Sequence, residues 1–171
     1  MKLRFLSAAT LAAVAALYGS AAAAECSNAT LDGQYAFTVR GESMTPNGLS
    51  ITNGVAMTRF DGAGHLTQVD FVLDNGLPSP GPVNAAGFHN HETGSYSVNS
   101  DCTGRAEIDG PAPPGLARGV VIQLMFVLSN HGRAIHTVVV GITPPGAPGP
   151  VPTSVHSDGY KVGGEGDGEG D

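Results

Sequence analysis

From residue 25 to residue 162, apolar side chains recur at every second position in short runs, and Gly, Pro, Asn or Asp cuts each run. That period belongs to a strand with one buried face; no window long enough for a helix carries an apolar stripe at helical spacing. The clearest run is 34–40, where Tyr35, Phe37 and Val39 alternate with Thr38 and Arg40. With 25 Gly and 12 Pro among 171 residues and only 13% charged, a long-helix or coiled-coil architecture is excluded, while 41% hydrophobic residues are enough to build a core.

Further runs follow at 51–60, read with Ile51, Val55 and Met57 inward, and at 65–73, read with Val69, Phe71 and Leu73 inward. Asp61-Gly62 between them supplies the chemistry of a tight hairpin. Tyr96 and Val98 define another run, Ala106 and Ile108 the next. Residues 120–128 and 134–142 form a second hairpin about Asn130-His131-Gly132, so apolar that it is expected to be the most buried part of the fold. Pro-rich stretches at 75–87, 111–115 and 144–152 cannot donate to a central ladder and are assigned to loops, and 153–162 supplies a last strand. Seven or eight sequential strands with no crossover helix predict an all-β fold. An antiparallel up-and-down β-barrel is preferred because closure removes exposed strand edges, and a β-sandwich is the alternative.

Lys2 and Arg4, the apolar run 5–17 and the small residues ending at Ala24 have the form of a cleavable export signal, too short in its apolar part to span a bilayer. Three segments result: a signal peptide over 1–24, one domain over 25–162, and an acidic Gly-rich tail over 163–171. Loss of Lys2 and Arg4 leaves six basic residues against 15 acidic ones, a net charge of −9. The basic residues are scattered singly, which argues against nucleic acid or an anionic membrane surface as partner. In an oxidising compartment the two cysteines, Cys26 and Cys102, most simply form one disulfide; they lack the C-x-x-C spacing of a redox pair. Loop-closure entropy puts its contribution at about 4.5 kcal/mol as an upper-end figure.

Three stretches occur together in order: CSNATLDGQYAF over 26–37, RFDGAGHLT over 59–67 and GSYSVNSDCTG over 94–104. In this the chain resembles a family of small exported bacterial proteins of unassigned function, over roughly residues 26–142. The resemblance implies a compact β-barrel of the calycin or allene-oxide-cyclase-like kind with the two cysteines bridged. It brings no reaction, and no catalytic residue of a cyclase has a counterpart here.

Histidine is the chemically suggestive excess, with six in the chain. On an extended strand His89 and His91 point the same way and could grip one metal ion, with Glu92 or another His completing the set. If Tyr96 faces the core and no bulge intervenes, both sit on the outward face as ordinary exposed histidines. His136, with Gln123 on the neighbouring strand, is the candidate for a polar group inside the barrel that orients a ligand. Arg59, sharing a face with Val55 and Met57, is the candidate for a charge at the barrel mouth; its ordinary reading is a snorkelling residue at a strand end. No Gly-x-Ser-x-Gly elbow, nucleotide loop or cofactor motif is present, so neither a catalytic residue nor a cofactor is assigned. The expected role is binding of a small apolar or amphipathic molecule, with a barrel enzyme of cyclase or isomerase type, or an envelope accessory protein, as alternatives. No sequence feature assigns an oligomeric state.

Overall fold

The computed structural model describes residues 25–45 and 48–163. The signal peptide expected over 1–24 and the acidic tail from residue 164 lie outside the described residues. Nine strands are described: β1 (Asp32–Thr45), β2 (Gly48–Asp61), β3 (His65–Asp74), β4 (Leu77–Pro78), β5 (His89–Val98), β6 (Thr103–Asp109), β7 (Val121–Ser129), β8 (Ala134–Thr143) and β9 (Thr153–Lys161). Helix is confined to two 3₁₀ turns, Asn28–Thr30 and Asn130–Gly132. Among the described residues no helix is long and apolar enough to cross a membrane.

Each strand pairs antiparallel with the next around the sheet, and β9 returns to β1, so eight strands close into an up-and-down barrel. Short β4 is the ninth strand and pairs only with the end of β3. The barrel, not the sandwich, is the fold.

The two ends differ. At one, the N-terminal segment crosses the barrel as a plug: Leu31 and Tyr35 are fully buried, and the Tyr35 hydroxyl donates to the Gly132 carbonyl at 2.6 Å. Phe60 packs edge-on between Tyr35 and Tyr96, with ring centroids 5.4 and 5.1 Å apart. Tyr96 in turn donates to the Leu31 carbonyl at 2.9 Å. The Cys26–Cys102 disulfide, with Cα atoms 5.0 Å apart, ties this plug to the β5–β6 turn. At the other end lie the Pro-rich connections after β3, β6 and β8, which form a rim.

Two aromatic rings reach into the barrel because the residue directly across is glycine: Phe37 faces Gly159 and Phe126 faces Gly104. A Cβ on either glycine would overlap the opposing ring.

Two face assignments are corrected. On β2 and β3 the inward residues are Thr52, Ala56, Thr58 and Phe60, and Leu66, Gln68 and Asp70; Ile51 and Val55 lie half exposed outside. The β7–β8 hairpin is buried on one face only, with Met125, Val127, Val138 and Val140 each about half exposed. These strands carry apolar residues on both faces, so alternation does not specify which face turns inward.

Overpacking a closed interior costs about 1–3 kcal/mol. Gly159→Ala should therefore lower the urea unfolding free energy by about that amount, and an unchanged midpoint would contradict the Phe37 packing.

Candidate functional site

Among the inward side chains, small ones at Ala56, Ala106, Thr137 and Ser157 stand beside larger aliphatic ones, and a cavity of about 390 Å³ remains between them. It opens toward the rim, where Pro80, Pro82, Pro111, Pro113, Pro144 and Pro145 border it. Proline fixes the backbone and removes a donor, so these residues make a stiff rim with fewer unpaired amides.

The cavity has two kinds of wall. Ile108, Ile122, Leu124, Val139 and Val155 form the apolar one. The polar one runs across β2, β3 and β5, and strand register assembles it. Thr58 stands opposite Gln68, and Gln68 opposite Glu92. Same-face cross-strand neighbours are within side-chain reach. The Thr58 hydroxyl donates to Gln68 Oε1 at 2.7 Å, and Gln68 Nε2 donates to Glu92 Oε2 at 2.9 Å.

One position nearer the rim on this wall, a β-bulge decides the chemistry. Gln68 pairs with Glu92 but Asp70 pairs with His89, so Asn90 and His91 together oppose the single residue Val69. His91 takes up the extra length in the left-handed region at φ 63°. An inserted residue shifts the alternation by one. His89 therefore turns inward while His91 stays exposed outside.

His89 Nδ1 lies 2.9 Å from Asp70 Oδ1, and Nε2 lies 3.1 Å from the Ser79 carbonyl oxygen. A carbonyl only accepts, so Nε2 carries its hydrogen and the Asp70 bond holds the second proton between carboxyl and ring. Ser79 is positioned by β4, and its hydroxyl donates to Asp74, which also accepts from Thr52.

Burial, and after it the negative charge of Asp70, pushes the Glu92 carboxyl up to about 7, against the opposing hydrogen bond from Gln68 and the influence of His89. Burial likewise raises Asp70, against the hydrogen bond and charge of His89. A carboxyl that titrates near neutrality inside an apolar cavity can bind a polar head group or exchange a proton with it.

The residues expected at this site stand elsewhere. His136 is outside, with Nδ1 2.7 Å from Asp158 Oδ1 and Nε2 3.1 Å from the Ser129 hydroxyl. Gln123 is also outside and donates to Glu107 Oε2 at 3.1 Å. Arg59 is exposed on the outer face of β2. The cause is parity: Ile122 and Leu124 point inward on β7, as do Ile135, Thr137 and Val139 on β8, leaving Gln123 and His136 outside. Because His89 and His91 lie on opposite faces, they cannot hold one ion together. Among the described residues no group of three or more His, Cys, Asp or Glu is arranged to hold a metal ion.

Gln68 and Asp70 were not singled out from sequence, and Glu92 entered only as a possible third ligand beside His89 and His91; a signal for an inward position existed for Glu92 and for Gln68. Counting in twos from inward Tyr96 through Gly94 reaches Glu92, and the Asp61-Gly62 turn places Phe60 opposite Leu66, hence Thr58 opposite Gln68. In comparisons with known proteins, the chain matches no protein-family model and no curated protein sequence.

The sign of the Glu92 shift fixes a pH dependence. The folded state keeps a proton that the unfolded chain releases near pH 4.5, so stability falls as pH rises from there to about 7 and is flat beyond. Urea unfolding should show a loss of roughly 2–3 kcal/mol between pH about 5 and about 8. Glu92→Gln should remove most of it; an undiminished slope in that variant would contradict the buried carboxyl.

Proposed function

We propose that the protein is an exported binder of a small apolar or amphipathic molecule held inside the barrel. The observation that carries this reading is the cavity, whose volume of about 390 Å³ falls among those of small-molecule sites. It is closed below by the aromatic plug, open at the rim, apolar on one wall and polar on the other. An eight-stranded barrel is just wide enough either to be filled by side chains or to hold one small ligand. This one is filled at its plugged end only.

Support for export comes from the leader-like first 24 residues, from the disulfide and from the motif resemblance to small exported bacterial proteins. A second reading, an enzyme moving a proton on such a ligand, is favoured by one observation: Glu92 and the Asp70–His89 pair border the same cavity.

The neutral fluorophore N-phenyl-1-naphthylamine should bind with enhanced emission. Filling the cavity with Ile122→Trp should weaken binding at least about tenfold, whereas the outward Val127→Ser should leave it unchanged. Absence of binding, or an Ile122→Trp variant that binds normally, would overturn the reading. For export, the intact mass of the protein recovered outside the cytoplasm should start at Glu25 and be two hydrogens lighter than the reduced chain. A retained leader or two free thiols would refute it.

A further inference from the structure

The direction of the hydrogen bonds around the cavity's carboxyl groups carries the ligand reading one step further. The Thr58 hydroxyl and the Gln68 amide point in series toward Glu92. The hydroxyls of Thr52 and Ser79 are both spent on Asp74. The two ring nitrogens of His89 are committed to Asp70 and to the Ser79 carbonyl. One hydrogen of the Gln68 amide apart, the side-chain donors on this wall are used within it, on carboxyl oxygens and, for Thr58, on the Gln68 amide oxygen and, for His89 Nε2, on the Ser79 carbonyl. Glu92 Oε2 takes Gln68, while Oε1 accepts from no described residue and is not sealed away from the cavity. Once Glu92 is ionised, the unspent capacity of its carboxylate is therefore for accepting hydrogen bonds.

Charge points the same way. Among the described residues lining the cavity, the acidic groups are Asp70, Asp74 and Glu92, and the basic one is His89, already paired with Asp70. The inward positions of β1, β2 and β6 to β9 bring hydroxyls and apolar groups to this space, with the Tyr35 phenol in the plug below. An anionic head group would meet carboxylates with no free cation to offset them, at a real electrostatic cost in a poorly solvated site. A cationic head group would find acceptors already in place.

Resting on the cavity-binding reading above, we propose that the site selects an apolar molecule with a protonated amine head, seated on Glu92, and rejects the carboxylate of the same chain length. Because an ammonium group favours the ionised form of its partner, binding draws the proton off Glu92 and tightens as pH rises through that group's titration.

The test is displacement of N-phenyl-1-naphthylamine from the full exported chain by decylamine, decanol and decanoate, three ligands that differ in the head group. At pH about 8 decylamine should displace the probe at a concentration at least about tenfold below that for decanoate, with decanol between them. Glu92→Gln should bring decylamine to the level of decanol and leave decanol unchanged. The unaltered protein supplies a readout that needs no variant: the amine preference should shrink at pH about 5, where Glu92 is protonated. Decanoate binding as well as decylamine, a preference that survives Glu92→Gln, or one indifferent to pH would each overturn the proposal. If the probe itself does not bind, the cavity-binding reading fails and takes this one with it; if decanol binds and the head groups are not distinguished, the proposal alone fails.

Discussion

Closure of β9 onto β1 is the constraint from which the rest follows. An eight-stranded antiparallel barrel has a nearly fixed bore, so the size of the inward side chains decides whether any level is core or cavity. Near the plug, Tyr35, Phe60, Tyr96 and Phe126 fill the bore, and Gly104 and Gly159 make room for the rings that cross it. Toward the rim the inward residues are aliphatic, hydroxyl-bearing and acidic side chains that line the bore without filling it, and it stays open. One closed sheet is thus filled at one end and hollow at the other, with the disulfide tying the plug to the β5–β6 turn.

The chemical character of the cavity depends on a single inserted residue. Without the bulge at Asn90 and His91, the cavity would hold three carboxyl groups and no basic side chain among the described residues, and Asp70 would be buried beside Glu92 without its partner. Uncompensated charge of that kind is strongly unfavourable in a low-dielectric interior. The bulge brings in His89, which bonds to Asp70, and leaves Glu92 with one carboxyl oxygen that no described residue bonds. The strain of a left-handed His91 is the local cost of that arrangement.

Much of the fold was legible because strand periodicity and turn chemistry are local properties. Tyr35, Phe37 and Val39 on β1, Tyr96 and Val98 on β5, and Ala106 and Ile108 on β6 turn inward as their alternation requires. The rule that apolar faces turn inward fails on β2 and β3, where the polar wall of the cavity places Thr58, Gln68 and Asp70 inside and Val55 outside. On β8 the apolar residues Val138 and Val139 occupy both faces, so nothing local could show that His136 points to solvent. Between Glu92 and His89, parity depends on a register shift defined only by pairing with β3. What was hidden is what arises from closure, and the site lies in that part.

The most direct measurement is methyl-resolved NMR of the folded protein titrated with a neutral apolar probe. The account predicts that the methyl groups of Ile108, Ile122, Leu124 and Val139 shift together as one site fills, while those of Val127, Val138 and Val140 on the outer face of the same strands stay in place. Shifts confined to the outer-face methyls, or an interior that never responds, would contradict it.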